Sequence, residues 1–252
     1  YGGLQKTASP QVLADLLWPD KKTRETEDFS DVWNLTPAVD APITAAQRAW
    51  LYENVNVPEL VNYLAVNAVI RHQDSNFKNW FVTRDTEGTG RWEMWHWDLN
   101  WIFTTPAEDG HGEYLLPVTS NRFLTALTNQ PEFKAMFFRR VRTLADQFLA
   151  PGRYEAQWEA IAGPSVGDWA LETARWGGRS SSAARAKFDQ GLADRRAVIV
   201  NNTGLGQPVP SSQSAAPDVV ISEIQYAPVS GDNAEFVELT NPSLSESVDV
   251  SG

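Results

Sequence analysis

The stretch IRHQDSNFKNWFV, residues 70–82, decides the fold, because a helical pattern changes to a strand pattern within it. Before it, VPELVNYLAVNAVIRH (57–72) spaces its apolar residues three and four apart, which predicts a helix. After it, NWFVTR and RWEMWHW flank the glycine-containing turn DTEGTG, which predicts a β-hairpin. The polar residues His72, Asp74, Asn76 and Asn79 lie at the change. Such residues suit a simple turn and a catalytic loop equally well.

Helical patterns surround this centre. A short helix is predicted for ITAAQRAWLYENV (43–55), whereas residues 1–42, with four prolines and a charged run, predict an irregular surface segment. Further helices are predicted at about 120–129, 131–149, 153–162 and 181–201, with a short one near Asp168–Trp176. The sequence therefore predicts an α+β fold with a mainly helical body and one hairpin.

Composition excludes several classes of protein. Of the 252 residues, 42% are hydrophobic, which is enough for a core. The net charge of -11 argues against a nucleic-acid partner and against a polybasic membrane anchor. No apolar run approaches the roughly 18 residues of a membrane span. The absence of cysteine excludes disulfides, thiolate metal sites and a cysteine nucleophile.

Tryptophan is concentrated in one place. Four of the eleven tryptophans lie between residues 92 and 101. Buried aromatic side chains contribute large apolar areas to a core. We therefore expect Trp97 and Trp101 to wall the site as core residues.

Asp74, Asn79 and Asp98 have the residue types that phosphoryl transfer needs. One carboxylate orients or deprotonates the attacking hydroxyl, while an Asn and a second carboxylate hold the magnesium that bridges the phosphates. In the protein-kinase pattern H-R-D-L-x-x-x-N, the Asn also follows the Asp by five residues, and a metal-binding Asp lies further along the chain. HQDSNFKN followed by WHWDLNWIF repeats this order.

The segment LVNYLAVNAVIRHQDSNFKNWFVTRDTEGTGRWEMWHWDLNWIF resembles the core of the CotH kinase family, the spore-coat-H-like atypical protein kinases. The resemblance implies that Asp74 is the catalytic residue and that Asn79 and Asp98 are metal ligands. VGDWALETARWG and FDQGLADRRAVIV resemble the family's closing segments, so the likeness covers about residues 1–202. It implies a kinase-like C-lobe with the hairpin at the active site.

Two features depart from the family pattern. Asn100 occupies a position where the family often has a second Asp. The chain also lacks most of an N-lobe, and we interpret it as a piece of a longer protein that is inactive alone. Lys6, in a segment resembling the family's G-x-L-Y-K, and Lys78 are candidate nucleotide contacts, with solvated surface roles as the alternative.

A second unit is predicted at the C-terminal side. Gly, Pro and Ser in TGLGQPVPSSQSAAP predict a linker at 204–217 between a kinase-like domain (1–203) and a β unit (218–252). VVISEIQYAPVSGDNAEFVELTNPS resembles the start of a lamin-tail domain, an immunoglobulin-like β-sandwich. Glu223, Glu235, Glu238 and Asn241 carry that resemblance. It implies a bacterial protein that is secreted or held at the cell surface.

The leading hypothesis is a secreted or surface protein kinase that uses ATP with Mg²⁺ or Mn²⁺ and phosphorylates Ser or Thr of an extracellular protein substrate. The alternative is a noncatalytic surface-binding or adhesion module on a kinase-like scaffold, which Asn100 and the missing N-lobe favour. A glycosidase with paired carboxylates stays open, since only the separation of the two carboxyl groups would identify it.

Overall fold

A computed structural model describes residues 22–72, 75, 79–109, 115–116, 122–201, 209–229, 234–244 and 246–250. The described helices are α1 (Ser30–Val39), α2 (Ala45–Asn54), α3 (Val57–Ile70), the single-turn α4 (Pro106–Asp109), α5 (Arg122–Thr128), α6 (Pro131–Phe148), α7 (Arg153–Ala162), α8 (Val166–Trp176) and α9 (Ser181–Val200). The strands are β1 (Trp80–Arg84), β2 (Trp92–His96), β3 (Val220–Gln225) and β4 (Phe236–Thr240). This mixture of helices and small antiparallel sheets confirms the predicted α+β class.

Helix α1 corrects one prediction, because it lies inside the segment expected to be irregular. Leu35 and Val39, one turn apart, are both buried in the core. Pro37 lies within the helix, and together with the nearby charged run it made the segment look irregular in sequence. Burial of the two side chains outweighs the poor helix propensity of proline.

The core lies mainly between α3 and α6. Leu60 and Leu64 of α3 are buried, as are Phe133, Phe137 and Val141 of α6. Their spacing of four residues puts each set on one face of its helix. The two helices therefore form the scaffold to which the hairpin and the remaining helices attach.

Both ends of α3 are hydrogen-bonded to other segments of the same chain. At its start the Asn56 side chain accepts a hydrogen bond from the Glu59 N–H, and the Asn56 N–H donates to the Trp92 carbonyl of β2 at 2.9 Å. At its end Arg71 adopts a left-handed conformation with φ 48°, which stops the helix. The Ile70 carbonyl accepts from the Phe103 N–H at 2.7 Å.

Two buried arginines hold the C-terminal end of α3. The last carbonyls of a helix lack partners within the helix. Nε of Arg195, from α9, donates to the Ala68 carbonyl at 2.6 Å, and its Nη2 donates to the same oxygen. Nη1 of Arg71 donates to the Thr104 carbonyl at 2.5 Å. The segment that follows Asp98 is thereby fixed against the end of α3.

The hairpin β1–β2 is confirmed. The strands pair antiparallel, with Trp80 opposite His96 and Arg84 opposite Trp92. In the turn, Asp85 accepts from the N–H groups of Gly88 and Thr89. The carboxylate thereby satisfies backbone donors that the tight turn leaves unpaired.

The tail sheet, β3 with β4, is a separate antiparallel pair. The register places Ile221, Ile224, Val237 and Leu239 on one face of this sheet, and all four are exposed. The lamin-tail assignment, the β-sandwich and the predicted domain boundaries remain predictions. None of the helices in the described part of the chain combines the length and the apolar character that a membrane span needs.

Candidate functional site

The C-terminal end of α3 delivers the chain to the candidate site. His72, the second residue past the helix, is buried, and its N–H donates to the Asn67 carbonyl at 3.0 Å. His72 Nδ1 lies 3.3 Å from Asn67 Oδ1. Ser75 is buried as well, and its hydroxyl donates to the His72 carbonyl at 2.9 Å. His72 and Ser75 are therefore packed into the body.

Three of the predicted site residues, Lys6, Asp74 and Lys78, lie outside the described residues. Their roles as nucleotide contacts and as catalytic carboxylate stay predictions. Asn79 and Asp98 are described, and the site is built around them.

Asn79 and Asp98 lie at the same end of the hairpin. Asn79 immediately precedes β1, and Asp98 follows β2 by two residues. The pairing continues past the strands, since the Trp97 N–H donates to the Asn79 carbonyl at 3.0 Å. Asp98 is thus the next residue after the one bonded to Asn79. The hairpin brings the backbones of the two predicted ligands side by side.

Both residues adopt an uncommon backbone conformation. Asn79 has φ 62° and Asp98 has φ 55°, in the left-handed region that Asn and Asp tolerate better than other side chains. Left-handed residues end the extended strands and turn the chain sharply. Asn and Asp at these positions therefore tolerate the left-handed conformation that the backbone requires, and they also offer oxygen ligands.

The chemistry of this pair fits a magnesium ion. Mg²⁺ prefers oxygen ligands, takes one or two carboxylates from protein and completes its shell with water and phosphate. One amide oxygen and one carboxylate are such a partial set. Among the described residues, no group of three or more acidic or histidine side chains could hold a metal by itself.

A buried polar layer lies between α3 and the hairpin. The rings of Tyr63 and His96 stack with centroids 4.5 Å apart. Burial, with the nearby His72 as a smaller cause, lowers the pKa of His96 to about 4. Burial also raises the pKa of Tyr63. Both rings are therefore neutral near pH 7, and His96 is a packed strand residue.

We expect the neutral His96 to make stability depend on pH. The ordinary pKa of histidine is 6.5, so between pH 6.5 and 4 His96 is protonated in the unfolded chain but neutral in the folded chain. The free energy of unfolding should fall as pH drops through this window. Urea titrations at pH 7 and pH 5 should show a smaller loss for His96→Gln than for the unchanged protein. Equal losses would contradict the assignment.

The tryptophans correct a second prediction. Trp92 is 6% exposed, but Trp97 is 61% and Trp101 41% exposed, so the expectation that Trp97 and Trp101 are core residues is wrong. Alternation along β2, continued by one residue, explains the exposure of Trp97, because successive strand residues face opposite sides. Trp92 and Met94 face the core, and Trp95 and Trp97 face outward. An exposed aromatic surface therefore flanks Asp98.

We expect two matched substitutions to separate these faces. Trp92→Ala should lower the free energy of unfolding by about 3–5 kcal/mol, because it leaves a cavity in the core. Trp97→Ala loses an edge-to-face contact with Phe81, at 5.3 Å between centroids. That loss should be about 1 kcal/mol or less. Denaturant titrations measure both values, and similar losses would contradict the assigned faces.

Several supporting residues escaped prediction from sequence. Arg195 binds the Ala68 carbonyl of α3, and Arg71 binds the Thr104 carbonyl. Gly191 lets α9 approach the Phe103 carbonyl. A buried arginine has no local sequence signature. The glycine inside a helical pattern was a usable signal, since such a glycine often marks a close approach.

Comparison with known families matches most of the chain to one of them. The family described as CotH kinase protein matches residues 3–197, which is most of the chain and includes the helix, the loop and the hairpin of the candidate site. No curated protein and no solved structure matches the chain.

Proposed function

The chain belongs to the CotH kinase protein family, and on that premise we propose that it is part of an atypical protein kinase acting on an extracellular protein substrate. In this proposal the γ-phosphoryl group of ATP passes to a Ser or Thr hydroxyl. The observation that carries the proposal is the adjacency of Asn79 and Asp98 at the end of the hairpin, within the matched region.

Each site residue has a distinct role in the proposal. Asp74 orients the acceptor hydroxyl and takes up its proton, while Asn79 and Asp98 hold Mg²⁺ or Mn²⁺ through their side-chain oxygens. The metal, when bound, neutralises charge that develops on the phosphates. Lys6 and Lys78 are the candidate phosphate contacts.

The contacts around Asn79 and Asp98 support this proposal for the two metal ligands. Phosphoryl transfer depends mainly on positioning and electrostatic stabilisation. Asp98 belongs to a segment tied to α3 through Phe103 and Thr104, and Asn79 is tied to the same segment through Trp97. Both proposed ligands are thereby anchored to the helix that leads to Asp74.

We propose a location outside the cytoplasm from the lamin-tail resemblance at 218–252. The tail sheet supports it, because a β-sandwich buries one face of each sheet against its partner. The exposed apolar residues Ile221, Ile224, Val237 and Leu239 are of the kind that such packing would cover.

A noncatalytic surface-binding module is the second candidate function. Asn100 lowers the negative charge near the proposed metal, and Trp95, Trp97 and Trp101 expose a broad aromatic surface beside it. Exposed aromatic side chains are enriched where proteins bind one another. In this alternative the aromatic surface binds a partner and no phosphate moves.

Phosphate transfer distinguishes the two functions. Full-length protein is incubated with radiolabelled ATP, Mg²⁺ or Mn²⁺, and a serine-containing protein acceptor. The kinase predicts metal-dependent labelling of the acceptor that chelator abolishes. Absence of labelling with either metal would favour the surface module.

A further inference from the structure

Three arginines of helix α6, Arg139, Arg140 and Arg142, bind two segments on the C-terminal side of the helical body. We define the C-terminal strap as residues 209–214 together with 246–250. Arg140 forms an ion pair with Asp249 at 3.0 Å, and Nη2 of Arg142 donates to the Ser212 hydroxyl oxygen at 2.6 Å. The two parts of the strap are joined by Gln213, whose side chain exchanges two hydrogen bonds with the Asp249 backbone. The strap is therefore docked on α6 by charged and polar contacts.

A cavity of about 380 Å³ lies between α6 and the strap. Its lining residues are Arg139, Pro210, Ser211, Ser212, Ser214, Glu246 and Ser247. Arg139 is 3% exposed, and its Nη2 and Nη1 donate to the carbonyls of Ser211 and Ser247 at 2.9 and 3.4 Å. Within the described residues, its Nε has no hydrogen-bond partner. Arg139 is thus a buried cation in the cavity wall, and its Nε donor lacks a partner among the described residues.

Buried cations are stabilised by an anion that accepts their remaining donors. Three carboxylates, those of Asp146, Glu246 and Asp249, lie near Arg139, but each accepts hydrogen bonds from other donors, Asp249 from Arg140. Asp146 accepts two hydrogen bonds from Nε of Arg142, and Glu246 accepts from the Ser214 N–H. The Nη2 side of Arg142 is directed at Ser212 instead.

Ser212 has the position of a phosphate acceptor. It is exposed and lies in a part of the strap without helix or strand, so an enzyme could reach its hydroxyl. Its oxygen already accepts from Arg142, and it lines the same cavity as Arg139. A phosphoserine carries a charge of about -1.5 to -2 and three strong acceptor oxygens, and opposite arginines it creates charge-assisted hydrogen bonds.

We propose that Ser212 is a phosphorylation site and that Arg142 and Arg139 bind its phosphate, fastening the strap to α6. In the transfer, the Ser212 oxygen forms a bond to the γ-phosphorus of ATP, the bond from that phosphorus to ADP breaks, and the hydroxyl proton passes to a base of the kinase. The source of the phosphate rests on the proposed function, with one copy acting on another. The binding of the phosphate does not.

The binding step is tested with phosphoserine incorporated directly at position 212 of the chain. Amide hydrogen exchange over 209–214 should slow by about tenfold, the effect of one added charge-assisted hydrogen bond. Arg142→Gln should remove the slowing. Arg185→Gln is the matched control, because Arg185 pairs with Asp189 four residues on, as Arg142 does with Asp146, and should keep it.

The outcomes separate the binding of phosphorylated Ser212 to α6 from the kinase activity. Unchanged or faster exchange with phosphoserine, or slowing that survives Arg142→Gln, would overturn the proposal. A second arm maps phosphate on full-length protein after incubation with Mg²⁺ and ATP. Labelling of a separate serine acceptor with Ser212 unmodified would overturn the site and leave the kinase standing. Without any labelling the proposed function fails, and the experiment with phosphoserine at position 212 alone decides whether the arginines bind the phosphate.

Discussion

Replacing Asp98 with alanine in full-length protein is expected to abolish phosphate transfer and metal-dependent nucleotide binding together. A metal ligand acts on the bound ground state as well as on the transition state, so its loss affects both measurements. Transfer should fall by roughly 10³-fold or more, as when a group that stabilises developing charge is removed. Radiolabelled transfer and calorimetric titration with ATP measure the two effects.

Asp74→Ala and Glu87→Ala provide the comparison. The proposed role of Asp74 in orienting the hydroxyl affects mainly the reaction step, so its alanine variant should lose about 10²–10⁴-fold in transfer and keep most nucleotide binding. Glu87 lies in the turn at the opposite end of the hairpin from Asp98 and is exposed. Its alanine variant should match the unchanged protein. Retention of binding in Asp98→Ala would contradict the metal role.

Gly191→Ala is expected to destabilise the protein, although alanine is the better helix former. A Cβ at Gly191 would lie 2.2 Å from the Phe103 carbonyl oxygen and 3.0 Å from the Phe103 Cβ. Overpacking of this kind costs about 1–3 kcal/mol, which exceeds the gain of up to about 1 kcal/mol in helix propensity. The free energy of unfolding, from a denaturant titration, should therefore fall.

Gly167→Ala in α8 is the matched control. Nothing lies within 4 Å of a Cβ built there, so its stability should stay unchanged or rise by up to about 1 kcal/mol. Phosphate transfer should fall in Gly191→Ala alone, because Phe103 anchors the segment after Asp98 to the Ile70 carbonyl. A Gly191→Ala protein as stable as the unchanged protein would contradict this packing.

Local patterns predicted the elements that position the site. The helix over 57–72 and the hairpin after it follow from periods of 3.6 and 2 that burial imposes on sequence. The same alternation, applied to β2, would have placed Trp97 outside the core with Trp95. The expectation for Trp97 was wrong because it was based on the clustering of tryptophans and not on the position of each one along the strand.

Long-range contacts lay beyond prediction from one sequence. The donation from Arg195 to Ala68 spans 127 positions, and the pairing of Arg140 with Asp249 spans 109. Neither has a local pattern. The segment predicted as a linker at 204–217 includes Ser211 and Ser212, whose bonds to α6 depend on the tertiary fold. Helix α1 was missed because Pro37 hid its buried pair.

Calorimetric titration of full-length protein with ATP, in the presence of Mg²⁺ or Mn²⁺ and again with chelator, tests the central claim most directly. The kinase site at Asn79 and Asp98 predicts saturable nucleotide binding that requires the metal and disappears in Asp98→Ala. Absence of nucleotide binding with any divalent metal would contradict the kinase and favour the surface-binding module.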